Sequence, residues 1–415
     1  MHVVVLGAGI LGVSSAWYLR QAGHQVTVIE RQAETALETS FANGGQLSAG
    51  HVEPWASPET FPQLLKWGFR EDSPLLFRLR ADPQQWLWGL GFLRECRPQR
   101  SQRNLHQLLR LGLYSRTAQK ALREETGIIY QAIDRGILNL YPTHDDWERG
   151  CRAAASITGL GYPRIKVSRT EALALEPALN ASQALWVGAT YTPGDGSGDA
   201  KLWTQALADL CQARGVEFRF NQEVQKLSTD GHRVTGARLS GQITDLKADA
   251  FVVALGSYST PLLRPLGLRI PVYPVKGYSA TVAITHSGAA PTVSITDDAH
   301  RMVFTRLGDQ FRIAGTAEFN GYDTTLNPRR CDALLARART LFPDASDYEN
   351  PTFWAGLRPA TPSNCPLIGR THLPNLFLNT GHGTLGWTTG CGSGKALAEI
   401  VSGRVPDVDF SFLGL

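Results

Sequence analysis

The sequence predicts a mixed α/β fold of two domains, and three observations support this prediction. The chain opens on an apolar run, His2–Leu6, that is typical of a buried parallel strand, and a glycine-rich turn and a helical pattern follow directly. Residues 270–320 alternate apolar and polar side chains instead, as half-buried antiparallel strands do. At 415 residues, the chain is also long enough to bury two cores.

The segment after the first strand carries a nucleotide-binding fingerprint. Gly7, Gly9 and Gly12 form a GxGxxG motif before the helical pattern, and a second strand, Gln25–Ile29, ends on Glu30. In such a unit the glycines permit a tight turn, close approach of a pyrophosphate and close helix packing, while the acid binds a ribose. An acid rather than an arginine at position 30 disfavours a 2′-phosphate. A glycine-rich turn without a ligand would not require the whole order of strand, turn, helix, strand and acid.

The composition argues against several classes of protein. A net charge of only +4 gives no reason to expect a nucleic-acid partner. The six cysteines are far apart without a CxxC pair, and the ten histidines form no closely spaced pair, so we expect free thiols and no metal site. No apolar run approaches the ~20 residues that span a bilayer, and the chain begins directly with a core strand. We therefore expect a cytoplasmic protein.

Aromatic and basic side chains are interleaved over residues 63–94. Trp86-Leu87-Trp88 and Leu75-Leu76-Phe77 stand close to Arg80 and Arg94. This pattern is typical of an element at a membrane interface, where basic residues reach lipid phosphates. It would place the protein peripherally on the cytoplasmic face of the inner membrane. The interpretation that we favour is instead a helical subdomain whose aromatic residues form its own core.

Three further segments suit a nucleotide cofactor. Glu38–Leu47 is rich in small, hydroxyl and amide residues, as a loop along an extended ligand requires, and Gly256 follows a buried strand. Gly381–Gly386 repeats GxGxxG, but no later strand ends in an acid, so we expect a helix N-terminus that faces the cofactor. Gly390–Lys395 only superficially resembles a P-loop, because residue 389 is Thr and residue 396 is Ala.

Several longer strings of residues resemble a known family. The fingerprint, the loop from Thr39 to Gln46, Ala254–Ser257 and Ala355–Pro359 look like the FAD-dependent D-amino-acid oxidase and glycine oxidase superfamily. Within it, Pro271–Ser279 and Asn379–Trp387 resemble bacterial D-amino-acid dehydrogenases, and the similarity runs over essentially the whole chain. The resemblance implies a Rossmann-like FAD-binding domain of discontinuous segments, 1–50, 199–265 and 361–415. It also implies a substrate-binding domain with a mixed or antiparallel sheet, from residues 51–198 and 266–360.

The resemblance further implies an activity and a cofactor site. The reaction would be oxidative deamination of D-amino acids such as D-alanine to 2-oxo acids and ammonia, by hydride transfer to flavin N5, with electrons passed to a quinone or another respiratory-chain acceptor. The FAD would be noncovalent, because no cysteine matches the attachment pattern of related sarcosine oxidases. The residues expected to hold FAD are Gly7, Gly9, Ile10, Leu11, Gly12, Glu30, Arg31, Thr39, Ser40, Asn43, Gly44, Gly45, Gln46, Leu47, Val224, Ala254, Gly256, Gly381, His382, Gly383, Thr384, Leu385 and Gly386.

Four residues are candidates for contact with the substrate. Arg358 matches the arginine with which the superfamily binds its substrate, and a guanidinium suits a carboxylate, although a structural salt bridge is the alternative. Tyr278 and Tyr273 are candidate hydroxyl donors to the carboxylate or amine, with a role in the core as the alternative for each. Lys276 is a weaker candidate, because most lysines lie on a surface.

Other functions remain open at this point. A sister enzyme could act on glycine, sarcosine, D-proline or D-hydroxyproline. A non-catalytic flavin-binding subunit that relays electrons is an alternative of another class, although Arg358 and the strands at 270–320 argue against it. An NAD-dependent dehydrogenase is disfavoured by the additional cofactor-loop segments.

Overall fold

Two large β-sheets organise the chain, and the computed structural model describes residues 1–60 and 74–415. Over these residues the α-helices are α1 (Ile10–Gln21), α2 (Pro83–Glu95), α3 (Pro98–Thr126), α4 (His144–Gly159), α5 (Arg169–Leu175), α6 (Ala200–Ala213), α7 (Ser259–Leu263), α8 (Pro328–Leu341) and α9 (Gly386–Val401). The strands are β1 (His2–Leu6), β2 (Gln25–Ile29), β3 (Gln46–Leu47), β4 (Leu75–Phe77), β5 (Ile137–Tyr141), β6 (Ile165–Ser168), β7 (Gly188–Thr192), β8 (Gly196–Ser197), β9 (Glu217–Arg219), β10 (Val224–Thr229), β11 (Val234–Leu239), β12 (Ala250–Val253), β13 (Tyr273–Ala283), β14 (Ser294–Asp297), β15 (Met302–Leu307), β16 (Gln310–Phe319), β17 (Thr352–Ala360), β18 (Leu367–Arg370) and β19 (Leu376–Thr380).

The first sheet has six strands in the order β18-β19-β12-β1-β2-β9. It is parallel except for β18, and Val4 of β1 lies between Phe251 of β12 and Thr27 of β2. Residues 3–6 of β1 are fully buried because both faces of the sheet are covered. Val3 and Val5 belong to the same apolar cluster as residues of α1, α6 and α9, and the other face packs beneath the β10–β11 hairpin and α7.

Glycines of α9 allow close helix packing against α1. A Cβ atom on Gly394 would lie 2.6 Å from the backbone carbon of Ser14, and one on Gly390 would lie 2.9 Å from Ile10 Cγ1. The run Gly390–Lys395 therefore lies inside a packed helix, not in a phosphate-binding loop.

The second sheet has nine strands, in the order β17-β13-β16-β15-β14-β5-β7-β6, with β4 beside β16. The strands at residues 270–320 pair antiparallel, as the alternation predicts, while β14 with β5 and β16 with β4 are parallel pairs. β13 and β16 are buried along almost their entire length, more than the alternation predicts. The reason is that α8 packs against these two strands and the chain covers both faces of the sheet.

The predicted fold class, a mixed α/β protein with one mostly parallel and one mixed sheet, is confirmed. All strands of the first sheet lie within the segments predicted for the cofactor domain, and all strands of the second lie within the remaining segments. The domain boundaries themselves stay a prediction. β3 and β8, from the two sets of segments, pair with each other.

The aromatic and basic segment at 63–94 is described only from residue 74 onwards, so residues 63–73 lie outside the described part. Trp88 of α2 is buried against Phe319 and Phe92 is buried against Trp88, as the core interpretation requires. Trp86 and Leu90 of the same helix are instead more than half exposed. Within residues 1–60 and 74–415, no helix is both long and apolar enough to span a bilayer.

Candidate cofactor and substrate site

A cavity of ≈ 1850 Å³ is lined by residues of both sheets. Both glycine-rich turns border it, together with Glu30 and Arg358. All of the predicted cofactor residues line this cavity except Gly12, Leu47 and Gly381. Gly12 and Leu47 are buried behind it, whereas Gly381 shapes the second turn with a φ of +83°.

The first turn has the geometry that its sequence predicts. Gly7 has a φ of +103°, and a Cβ atom on Gly12 would lie 1.8 Å from the Gly7 carbonyl oxygen, so α1 can start here only without that side chain. Ser40 accepts a hydrogen bond from the Ile10 amide, 3.1 Å away. The N-terminus of α1 thus opens on the cavity, where its dipole favours a negative ligand.

Glu30 is held by backbone amides at the end of β2. Its Oε2 accepts from the Ala8 amide at 2.8 Å and its Oε1 from the Gln32 amide at 2.9 Å. Burial raises the pKa of this carboxyl, although both amides favour its charged form. Each oxygen keeps a second lone pair, so the carboxylate can still accept from ribose hydroxyls on its cavity side.

Arg31, next to Glu30, also lines the cavity. Its guanidinium donates to Glu38 Oε1 at 2.6 and 2.8 Å and lies 3.9 Å from the centre of the Tyr258 ring. The arginine is therefore fixed by a carboxylate and an aromatic face.

The loop that follows is anchored to the second sheet by the side chains that we expected to face the cofactor. Thr39 Oγ1 donates to the Leu357 carbonyl at 2.9 Å, and Gln46 Nε2 donates to Ser294 Oγ at 2.9 Å. Asn43 Oδ1 accepts from the Gly45 amide at 3.0 Å. These residues line the cavity, and their hydrogen bonds fix the shape of its wall.

The second glycine-rich turn ends at the N-terminus of α9. His382 is fully buried, and one ring nitrogen, Nε2, is hydrogen-bonded to Ser393 Oγ at 2.9 Å. No group in the described part of the chain hydrogen-bonds its Nδ1. Burial lowers the pKa of His382 to about 3, so the ring is neutral at physiological pH. Leu385 and Gly386, where α9 begins, line the cavity and direct a second helix N-terminus to it.

Arg358 of β17 supplies a cation to the same cavity. Its Nη1 donates to the Thr316 carbonyl at 2.7 Å, and no acidic residue within the described ranges forms an ion pair with it. A Cβ atom on Gly277 would lie 2.3 Å from Arg358 Cζ, so the guanidinium occupies space that only a glycine leaves. Burial without a counter-charge lowers the pKa of Arg358 to about 10, and the group is still charged at neutral pH.

The other three candidates for substrate contact lie differently. Tyr278 lines the cavity, but its hydroxyl donates to Glu318 Oε2 at 2.5 Å. Lys276 and Tyr273 do not line the cavity. Lys276 Nζ donates to the Thr325 carbonyl at 3.0 Å, while the Tyr273 ring packs near that of Phe319. Strand alternation places Lys276 and Tyr278 on the face of β13 opposite to Gly277, and this is why their polar atoms point away from Arg358.

The polar atoms on that opposite face form a buried charge network. Glu318 is 1% exposed, with Lys276 Nζ at 3.6 Å and Arg78 Nε at 2.7 Å. Burial alone would raise the pKa of Glu318, but hydrogen bonds from Tyr278 and Arg78 and the nearby cations hold it below its usual range. These contacts engage the polar atoms of Lys276 and Tyr278 and leave Arg358 as the cation of the cavity among the four candidates.

One charged cluster on the cavity wall is absent from the sequence prediction. Arg164 is 3% exposed, pairs with Glu53 and donates to Tyr141 Oη at 3.1 Å. His51 Nδ1 lies 3.2 Å from the second oxygen of Glu53. Burial opposes the charge of Glu53, but Arg164 and His51 keep its pKa below the usual range. No motif marks these residues, because they meet only through the tertiary fold. Among the described residues, no group of three or more His, Cys, Asp or Glu could hold a metal.

Two helix N-termini and a carboxylate at the end of the second strand border one cavity with Arg358, which has no acidic partner among the described residues. Residues 2–400 match the model of the DAO family, described as FAD dependent oxidoreductase, and the chain belongs to this family. It is therefore an FAD-dependent oxidoreductase, and the predictions of an enzyme and of FAD as its cofactor are confirmed.

The more specific resemblance is confirmed as well. The chain is 53% identical to the D-amino acid dehydrogenase of Dechloromonas aromatica (strain RCB), over 100% of both chains. It is 51% identical to that of Paramagnetospirillum magneticum (strain ATCC 700264 / AMB-1), over 100% of this chain and 98% of the relative. Among solved structures, it is similar to glycine oxidase from Bacillus cereus ATCC 14579, with 25% identity, a TM-score of 0.74 and coverage of 97% and 95% of the two chains.

Proposed function

We propose that the protein is a D-amino-acid dehydrogenase that oxidatively deaminates D-amino acids, such as D-alanine, to 2-oxo acids and ammonia. The observation that carries this proposal is Arg358, a half-buried cation without an acidic partner in the described chain, in the cavity that the predicted FAD-binding turns border. The full-length relatives at 53% and 51% identity carry the name D-amino acid dehydrogenase, which supports the substrate class.

The substrate carboxylate would bind at Arg358. A guanidinium presents two parallel N–H donors to a carboxylate, and the Thr316 carbonyl already fixes its Nη1. Holding the carboxylate at this point orients the α-carbon, which is the main contribution that a protein can make to such a reaction. Because the amine is oxidised from its neutral form, we assign no general base.

The residues around the two turns fit FAD. The N-terminus of α1 would hold the pyrophosphate, and Glu30 would hold the ribose of the adenosine. When bound, FAD supplies the two-electron acceptor that takes a hydride from the substrate. The N-terminus of α9 and the neutral ring of His382 would border the flavin end, where the helix dipole favours negative charge. None of the described lining residues is a cysteine, which supports noncovalent binding.

We also propose that the enzyme passes its electrons to a quinone, or another respiratory-chain acceptor, at the cytoplasmic face of the inner membrane. The support is the outer face of α2, where Trp86, Leu87, Leu90 and Leu93 are between 43% and 66% exposed. Arg94 in the last turn of this helix could reach lipid phosphates. Trp86, Leu90 and Leu93 recur at helical spacing, so they share one face of α2.

Co-sedimentation with vesicles that contain anionic lipid tests the membrane proposal. Leu90→Glu should lower vesicle binding and quinone reduction, whereas Ile243→Glu, a matched change at a side chain that is 92% exposed elsewhere, should not. Binding should also weaken as salt is added. Equal behaviour of the two variants would refute the assignment of α2 to the membrane.

Anaerobic mixing of the holoenzyme with single amino acids tests the reaction. D-Alanine should bleach the flavin and L-alanine should not, and the reduced flavin should reoxidise faster with quinone than with oxygen. Bleaching by glycine, sarcosine, D-proline or D-hydroxyproline, but not by D-alanine, would replace the proposed substrate with one of these amines. No bleaching by any of them would favour an electron-relay subunit.

A further inference from the structure

Thr316 lies at an irregularity of the second sheet, directly beside the cavity. Lys276 of β13 pairs with Glu318 of β16, but Tyr278, two residues on, pairs with Gly315. β16 therefore carries one extra residue here, which makes this a β-bulge. Thr316 has a φ of +57°, in the left-handed region that β-branched residues rarely adopt. Such conformations persist where the surrounding structure imposes them, and they are frequent at functional sites.

The bulge gives both polar groups of Thr316 an unusual position. Its carbonyl accepts the 2.7 Å hydrogen bond from Arg358 Nη1. Its side chain is buried, the residue lines the cavity, and no group in the described ranges hydrogen-bonds the Oγ1 atom. A buried hydroxyl without a partner is costly, so its retention next to the arginine suggests a partner that arrives with the ligand.

We propose that Thr316 is a second ligand of the substrate carboxylate. Its hydroxyl donates a hydrogen bond to the carboxylate that Arg358 binds, and its carbonyl holds the guanidinium in the matching orientation. One residue thus provides a direct contact and positions the other contact. The inference rests on the proposed function only in that the substrate carries a carboxylate.

Ser279 supplies a comparison within the same sheet. Its hydroxyl is also buried and also lacks a partner among the described residues, but Ser279 does not line the cavity. Ser279 pairs with Ala314, on the side of the bulge away from Glu318. Thr316 therefore differs from Ser279 in two respects: it lines the cavity, and its carbonyl is bonded to Arg358.

The test measures binding of acetate to the oxidised holoenzyme through the change in the flavin absorption spectrum, together with KM and kcat for D-alanine. Thr316→Val keeps the shape of the side chain and the same backbone restriction, but it removes the hydroxyl. We expect its Kd for acetate and its KM to rise by about 10- to 100-fold, as for a lost hydrogen bond to a charged group, with a smaller change in kcat. Thr316→Ser should restore both values to within a few-fold of the wild type, and Ser279→Ala should leave them unchanged.

Thr316→Gly keeps the experiment decisive if the valine variant does not fold. It removes the hydroxyl while relieving the left-handed strain, so it should bind FAD and unfold no more easily than the wild type, yet lose acetate affinity. An unchanged Kd for acetate in a folded variant without the hydroxyl would overturn the proposal. An equal loss in Thr316→Ser would also overturn it, because packing rather than the hydroxyl would then be responsible. Failure of wild-type enzyme to react with D-alanine, with acetate binding intact, would instead reject the proposed substrate alone.

Discussion

Replacing Arg358 with methionine should make the holoenzyme more stable while nearly abolishing its use of carboxylate substrates. The fall from the ordinary arginine pKa to about 10 corresponds to about 3 kcal/mol of unfavourable free energy for the buried charge. Loss of the hydrogen bond to the Thr316 carbonyl offsets about 1 kcal/mol of the gain. We therefore expect Arg358→Met to raise the free energy of unfolding by about 2 kcal/mol, and KM for D-alanine to rise by about 30-fold or more.

Thermal unfolding of the holoenzyme, with and without acetate, measures both effects. Acetate at 100 times its Kd should stabilise the wild type by about 2.7 kcal/mol and should not stabilise Arg358→Met. The exposed Arg269 provides the control, because Arg269→Met should change neither stability nor the response to acetate. A variant at position 358 that unfolds at a lower temperature and still responds to acetate would refute the reasoning.

The pH dependence of acetate binding checks the same charge. The burial cost is fully present below a pH of about 10, where Arg358 is protonated, and it falls as the pH rises through this pKa. Acetate binds the charged form, so its Kd should be flat at neutral pH and should increase above a pH of about 10. Acetate has no amine, so no group of the ligand titrates near pH 10 and the change in Kd reports on the protein.

Three further predictions concern the cofactor and the buried network. Gly12→Ala should prevent FAD retention during purification, because its Cβ atom would collide with the Gly7 carbonyl, whereas Gly89→Ala, with open space around it, should retain FAD and Tm. Glu30→Gln should weaken FAD binding by about tenfold in reconstitution of the apoenzyme, since the Gln oxygen can accept from one backbone amide while its NH₂ faces the other donor; unchanged affinity would contradict this. Tyr278→Phe should lower stability by about 1–3 kcal/mol and change kcat/KM for D-alanine only a few-fold, and a loss of activity without loss of stability would restore Tyr278 as a substrate ligand.

The nucleotide half of the site is predictable from the sequence because its determinants are local. The strand, turn, helix, strand and acid of the fingerprint lie within residues 2–30, and the structural role of each glycine can be inferred from that segment alone. The antiparallel pairing of β13, β15 and β16 also follows from the alternation at residues 270–320. Burial of β13 and β16 on both faces does not, because it depends on what α8 and the rest of the chain place over them.

The substrate half is less predictable because it depends on strand register. Lys276 and Arg358 both lie in segments that resemble the family. Arg358 pairs with Val275, however, and successive residues of a strand point to opposite faces, so Lys276 lies on the face of the sheet away from Arg358. Gly277 was the available signal, since a glycine inside a strand often marks a close approach. Neither the bulge at Thr316 nor the pairing of Arg164 with Glu53 could be predicted from a sequence motif, because both arise from contacts between segments that are distant in the chain.

The order of strands in the first sheet has a consequence for the synthesis of the protein. β1 precedes its neighbour β12 by more than 240 residues, and β19 and α9 lie later still in the chain. Since α1 packs directly against α9, the apolar face of α1 is covered only after α9 has been made. A chain that ends before residue 376 would carry the entire fingerprint and still fail to become a flavoprotein. Until α9 has been made, the face of α1 that packs against it stays uncovered, and exposed apolar surface of this kind favours aggregation.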